Sequence, residues 1–174
     1  MHSISGYISR RWLVAAGLGA LLVAPSASLR AASDTAVVVA EVVETISLVN
    51  QTGMVFGDIA VTNSPGTVVL SPAGTRLVTG GAFVNSTVAS GPAVFDVSGL
   101  PNAVYAITLP TSIVLTGASG NSMVVDEFTS LPANTGLTDP GGEQNLFVGA
   151  TLNVDSNQAI GSYSGLMTVT VVYN

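Results

Sequence analysis

Several residue types that build chemical sites are scarce in this sequence. It contains no cysteine and no lysine, and its only histidine and its only tryptophan, His2 and Trp12, lie close to the N-terminus. Without cysteine, neither a disulfide nor a thiolate metal site can form. Without lysine, a phosphate-binding loop of the Gly-x-x-x-x-Gly-Lys type is excluded.

The N-terminal region predicts a secretory signal peptide. A pair of arginines is followed by an apolar run over residues 12–24 and then by small residues. The run is shorter than the ~20 residues that span a bilayer, so we expect residues 1–32 to be removed on export and no transmembrane helix to remain. Cleavage is expected after Ala31 or Ala32, with a cut near Ala27 as the alternative. The apolar run favours the general secretory route over the twin-arginine route, which the two arginines weakly resemble.

The charge that remains after this cleavage is strongly negative. Three of the four basic residues lie in residues 1–32 and all ten acids lie beyond them, so the rest of the chain carries 1 − 10 = −9. Such a surface repels phosphate backbones and anionic lipids, so we expect neither nucleic acid nor an anionic membrane as a partner. Arg76 is the single remaining base. We expect it in a surface or inter-strand ion pair, with a contact across a subunit boundary as the alternative.

The region 44–174 predicts an all-β fold. Val, Thr, Ile and Leu recur in short alternating runs between Gly, Pro, Asn and Ser, a spacing typical of a β-sandwich or barrel. The stretch 130–143 is expected to be the longest loop. The predicted strands are 44–50, 54–61, 66–71, 74–79, 82–88, 92–98, 103–109, 111–116, 122–128, 145–155 and 163–173.

The segment 33–43 differs from the rest. Ala36–Val43 is β-branched and apolar on both faces, and such a segment aggregates when it is left exposed. One interpretation is a first strand buried in its own domain. The other is a donor strand that completes the sheet of a neighbouring subunit.

Catalytic constellations are mostly excluded. With no histidine or lysine after cleavage, serine and threonine nucleophiles lack their usual base, and imidazole metal sites cannot form. Asp126 and Glu127 are adjacent, so on a regular strand they would face opposite sides. Asp139–Glu143 is interpreted as a turn rather than a calcium loop. The sequence therefore predicts a protein that is not an enzyme and has no cofactor or metal. An acid-pair glycosidase is the rival, for which distant acids would have to converge: Asp58, Asp96 and Asp155.

An ordered series of short motifs resembles a known family. The series is Phe56-Gly-Asp-Ile59, Gly66-Thr-Val68, Ser71-Pro-Ala-Gly74, Gly80-Gly81, Phe95-Asp-Val-Ser-Gly99, Tyr105-Ala-Ile-Thr-Leu-Pro110, Met123-Val-Val125, Phe147–Val154, Gly161-x-Tyr-x-Gly165 and Val169–Asn174. It resembles a family of secreted bacterial β-sandwich proteins of unknown function, which is distantly similar to spore coat protein U and to the archaic chaperone–usher pilins.

This resemblance implies an immunoglobulin-like antiparallel β-sandwich with an N-terminal extension strand. It also implies a structural subunit of a cell-surface filament, fimbria-like fibre or coat, exported through the periplasm to the surface. The implied partners are further copies of the chain, a periplasmic chaperone and an outer-membrane usher. A monomeric binding module for a glycan or protein is the alternative. The predicted assembly residues lie at the two ends of the exported chain: Val38, Ala40, Val42, Val169, Val171 and Tyr173.

Overall fold

Eleven antiparallel strands form the regular structure of residues 33–174, the part of the chain that the computed structural model describes. The predicted signal peptide lies outside these residues. No helix occurs within 33–174, so the all-β prediction is confirmed. The strands are β1 (Ser47–Thr52), β2 (Ile59–Leu70), β3 (Arg76–Val84), β4 (Ala93–Ser98), β5 (Val104–Thr108), β6 (Ser112–Gly117), β7 (Ser122–Leu131), β8 (Thr135–Leu137), β9 (Glu143–Val154), β10 (Tyr163–Ser164) and β11 (Thr170–Tyr173).

The strands form a large and a small sheet. The large sheet has the order β1-β4-β9-β7-β6-β10, and β2 joins it through β9 and carries β3. The small sheet has the order β11-β5-β8. Along one edge, β9 pairs first with β4 and then with β2, while β7 pairs with its other edge. The alternation of β9 buries one face of the strand: Leu146, Val148, Ala150, Leu152 and Val154.

The buried residues fall into two clusters along the length of β9. The first, which we call the covered cluster, consists of Ala93, Phe95, Val97, Tyr105, Leu146 and Val148. Small-sheet side chains such as Ile107 and Val171 pack against it. The second, which we call the open cluster, consists of Val68, Ala82, Val125, Ala150, Leu152 and Val154. Its described neighbours come from the large sheet and from the loop 53–58, and none of them from the small sheet. The layered arrangement is that of an antiparallel β-sandwich, as predicted.

Two predicted breaks in the strands do not occur. Strand β2 continues through Pro65 and Gly66, and β3 continues through Gly80 and Gly81. The register between β2 and β3 shifts between Val61 and Gly66, so the proline lies where the ladder is interrupted and its missing N–H costs nothing. A side chain at Gly80 would meet the Pro65 carbonyl, so these glycines allow close strand approach rather than a turn.

The predicted long loop 130–143 is partly wrong, because it contains the end of β7 and the whole of β8. Gly136 of β8 pairs with Tyr105 of β5 and lies against its ring, which a Cβ would strike. The Tyr105 hydroxyl donates to Gln144 Oε1 over 2.7 Å, and burial raises the pKa of Tyr105. The same Gln144 oxygen accepts from the Leu137 amide over 2.9 Å, which fixes β8 to the large sheet.

The predicted closing strand 163–173 is split between the two sheets. Tyr163–Ser164 pair with β6 in the large sheet, and Thr170–Tyr173 pair with β5 in the small sheet. Residues 165–169 cross from one layer to the other without strand pairing. Side-chain alternation continues through the crossing, because Met167 and Val169 still pack against the covered cluster.

The segment 33–46 forms no strand in the structure. Four of its valines are 84–97% exposed: Val37, Val38, Val39 and Val42. Residues 41–174 form one compact unit, and residues 33–40 belong to a separate one. Residues 33–46 are therefore an exposed apolar segment rather than the expected extension strand, and they pair with no strand in the part of the chain that the structure describes.

Candidate functional site

A large groove lies over the open cluster, on the inner face of the large sheet. Its volume is about 1190 Å³. Strands of the large sheet, the loop 53–58 and the segment 158–167 line it. Among the described lining residues none belongs to β5, β8 or β11. The small sheet therefore packs over the covered cluster, whereas the groove lies beside the open cluster and reaches the covered cluster at Ala93 and Phe95.

The floor of the groove is apolar because three neighbouring strands present their inward residues to it. Ile113 of β6 pairs with Val125 of β7, and Val125 pairs with Leu152 of β9, so the three lie side by side across the sheet. Leu115 and Met123 form the next cross-strand pair. Asp58 is the single charged residue among the described residues that line the groove. The surface is suited to apolar groups and unfavourable for an unpaired charge.

One wall of the groove is a loop that Arg76 holds in place. The Arg76 guanidinium donates to the Phe56 carbonyl over 2.8 Å and to the Asn85 carbonyl over 2.9 Å. Gly57 has a φ of +80° and packs so close to Arg76 that a Cβ would strike the guanidinium. Arg76 thus joins β3 to the loop 53–58 through carbonyl oxygens. Within the described residues, Arg76 makes these hydrogen bonds and not the ion pair that the sequence predicts.

The opposite wall is the segment 158–167, which Tyr163 anchors. Gln158 Nε2 donates to the Tyr163 hydroxyl over 2.9 Å, and this hydroxyl donates to the Ala159 carbonyl over 2.6 Å. The Tyr163 ring packs over its cross-strand partner Gly117. Ile160 and Leu166 border the groove and are almost fully exposed. The wall is thus fixed at its base and carries uncovered apolar side chains at its rim.

The structure separates the six predicted assembly residues into two groups. Val169, Val171 and Tyr173 pack against the covered cluster, and the Tyr173 hydroxyl accepts a hydrogen bond from the Leu100 amide over 2.6 Å. These three close the core of their own domain. The other three lie exposed in the segment 33–46: Val38, Ala40 and Val42.

Sequence reasoning missed the groove itself. The predicted strand 54–61 includes Met54 and Phe56, but both lie in the loop 53–58 and line the groove wall. Phe128 also lines the groove and packs against both clusters. The sequence signal for a loop here is that Met54, Val55 and Phe56 are all apolar, without the apolar–polar alternation of a half-buried strand.

The expectation that Asp126 and Glu127 face opposite sides of a strand is wrong. A bulge follows Asp126, and Glu127 has a φ of +48°. Asn153 Nδ2 donates to Asp126 over 2.9 Å, and Thr151 Oγ1 donates to Glu127 over 3.0 Å. Because Thr151 and Asn153 are two residues apart on β9, both acids lie on the outer face of the large sheet, away from the groove.

Two further acids, Asp139 and Asp96, accept ordinary hydrogen bonds from nearby amides. Asp139 Oδ1 accepts from the amides of Gly141 and Glu143, which is the turn predicted there. Asp96 lies on β4 and accepts from Gln51 over 2.6 Å. Within residues 33–174 no group of three or more His, Cys, Asp or Glu side chains is arranged to hold a metal ion. In the same range no helix is long and apolar enough to cross a membrane.

Comparison with known proteins gives a family and no function. Neither a curated protein nor a solved structure matches the chain. One family model matches residues 46–173, which is nearly the whole of the sandwich. This model is described as a domain of unknown function, DUF4402. The match covers most of the chain, and the protein belongs to the DUF4402 family.

Proposed function

We propose that this protein is a non-enzymatic, exported structural subunit that assembles with copies of itself by β-strand addition. The segment Ala36–Val43 of one copy fills the groove of the next. Val38, Ala40 and Val42 of the incoming segment face the groove floor. The product is a cell-surface filament, fimbria-like fibre or coat.

The groove beside the open cluster, where no strand of the small sheet packs, supports this proposal most strongly. A β-sheet with an apolar face needs a second layer to bury it. Here the small sheet supplies that layer over the covered cluster only, and the open cluster is left beside the groove. A strand from another molecule is the element that would complete the sandwich.

The size of the groove favours a chain segment over a small ligand. At about 1190 Å³ it exceeds the ~300–1,000 Å³ that is common for small-molecule sites. The segment Ala36–Val43 would extend over ~26 Å as a strand at about 3.3 Å per residue. Its valines are exposed, so covering them stabilises the assembly at the same time as the groove is filled.

The symmetry of such a contact leads to chains rather than closed dimers. The donor segment and the acceptor groove are different surfaces, so each copy can give and receive once. Contacts of this heterologous kind generate open filaments unless the rotation closes a ring. The predicted signal peptide would deliver the subunit to the periplasm. There, the proposed role requires that a chaperone or a second copy covers the groove.

The proposal is tested by deleting residues 33–43 from the exported protein and comparing assemblies by size-exclusion chromatography and electron microscopy. We expect the full protein to form a ladder of oligomers or fibres and the truncated protein to remain monomeric. Assembly of the truncated protein at the same level as the full protein would show that the segment is not a donor strand.

Matched double variants separate the two faces of the segment. Val38→Asn with Val42→Asn should abolish assembly, because both side chains would enter the groove. Val37→Asn with Val39→Asn changes the same number of valines on the other face and should reduce assembly much less. A protein that stays monomeric at high concentration and melts at a higher temperature with a glycan or protein ligand would instead be a binding module.

A further inference from the structure

The segment that we propose as donor carries acids in a specific pattern on one face. In a strand, Asp34, Ala36, Val38, Ala40, Val42 and Glu44 point to the same side. Its four central side chains are uncharged, and an acid bounds them at each end. On the other face Glu41 interrupts the apolar series after Val39, so that face has no comparable uncharged run.

Because the groove is apolar, the charge pattern limits the positions in which the donor segment can bind there. Its described lining residues include a single charge, Asp58, which is also an acid, and its floor is formed by side chains such as Ile113, Val125 and Leu152. A strand that slips along its groove must move by two residues to keep the same face inward. Such a slip in one direction moves Glu44 over the apolar floor, and a slip in the other direction moves Asp34 there. An unpaired carboxylate in apolar surroundings is strongly unfavourable.

We infer that Asp34 and Glu44 fix the register of the donor segment, so that only Ala36, Val38, Ala40 and Val42 occupy the groove. This inference rests on the proposed function, because it specifies how the incoming segment is positioned. Over these four residues the inserted part of the strand is about 20 Å long. The register is therefore set because neither terminal acid can enter the apolar groove. As a result, Ala40 contacts the same part of the floor in every subunit.

Disulfide mapping tests the register, because the chain has no cysteine of its own. The full chain is exported from a bacterial host with Leu166→Cys at the rim of the groove, where the native side chain is exposed and its removal disturbs little packing. A second cysteine replaces one of four donor residues in turn: Ala36, Val38, Ala40 or Val42. A disulfide requires Cα atoms within ~7 Å, about the spacing of alternate strand residues, so each variant reports one register. Ile160→Cys provides a second, independent rim position.

With the native acids we expect cross-links between copies to be concentrated at one donor position. Glu44→Ala should raise the yield at least about fivefold at the neighbouring position of higher number, because the slip no longer buries a carboxylate. Asp34→Ala should do the same at the neighbouring position of lower number. Glu41→Ala is the matched control: it removes the same charge from the other face and should leave the single maximum unchanged.

The possible outcomes distinguish a failure of the register inference from a failure of strand addition itself. If no donor position cross-links between copies, or if the cross-links form only within one copy, then strand addition in trans is wrong and the register inference is lost with it. If one maximum is found and neither Glu44→Ala nor Asp34→Ala broadens it, strand addition stands and the register is set by something other than the acids. If Glu41→Ala broadens the maximum equally, net charge rather than position is responsible, and the inference is overturned.

Discussion

Two leucines on one strand provide a direct test of the half-covered sandwich. Leu146 and Leu152 both lie on the inward face of β9 and are 0% and 1% exposed. Leu146 belongs to the covered cluster, between the two sheets, and Leu152 belongs to the open cluster, at the floor of the groove. By burial alone the two positions are equivalent. They differ in what lies above each side chain, on the side away from β9: the small sheet above Leu146 and the groove above Leu152.

This difference predicts unequal costs of truncation. Replacing Leu146 by Ala leaves a closed cavity between two layers, so we expect a loss of about 4 kcal/mol in the free energy of unfolding, from the transfer and cavity contributions together. Replacing Leu152 by Ala opens a space that is continuous with the groove. The loss is then mainly the transfer free energy of three carbons, about 2.4 kcal/mol at ~0.8 kcal/mol per methylene.

The measurement is urea unfolding of both variants and the parent protein, at concentrations where all three sediment as monomers. Leu146→Ala should be the less stable variant by about 1–2 kcal/mol, with similar m-values. In assemblies the gap should narrow, because a strand in the groove closes the space above Leu152. Equal losses in the monomer would contradict the reasoning, since they would mean that the open cluster already has a closed second layer.

Three further predictions concern charge and hydrogen bonding. Arg76→Gln should lower the free energy of unfolding by about 1–3 kcal/mol in urea titrations, because the guanidinium donates to two carbonyls that hold the groove wall. Burial raises the pKa of Tyr105 above its ordinary value of about 10. The unfolded chain therefore ionises first, so stability should hold below about pH 10 and decline above it, with a smaller slope in Tyr105→Phe. Self-association should be faster at 0.5 M than at 0.05 M salt by light scattering, because each copy carries −9 over residues 33–174 and salt screens the repulsion.

The strands of this fold could be predicted from sequence where one face alone is buried. The alternation from Leu146 to Val154 predicted β9 to within two residues at either end, and the one from Tyr105 to Leu109 predicted β5 to within one. Gly and Pro were less informative, because both can mark a turn or a close approach between strands. Pro65 falls between the predicted strands 54–61 and 66–71, yet it lies at a shift in register within the single strand β2.

The candidate site could be predicted only in part. The apolar segment 36–43 is visible in the sequence because its valines form a run without polar alternation. The groove is not visible, because its floor residues Ile113, Val125 and Leu152 have the same pattern as residues beneath a second sheet. Alternation shows that a face is apolar, but it does not show what covers that face. The bulge at Glu127 was likewise hidden, since it changes the face of a side chain without any glycine or proline to mark it.

The split of the closing strand explains why the small sheet does not extend over the open cluster. Residues 163–173 keep a single alternation, and a continuous strand would have placed all of them in one sheet. Instead, Tyr163 and its anchoring hydrogen bonds keep β10 at the edge of the large sheet, and the chain crosses to the small sheet only at residues 165–169. Strand β11 therefore begins at Thr170, opposite Thr108, where β5 ends, and the small sheet stops short of the open cluster. The crossing that closes one half of the sandwich thus leaves the groove over the open cluster, which is where we propose that a second copy adds its strand.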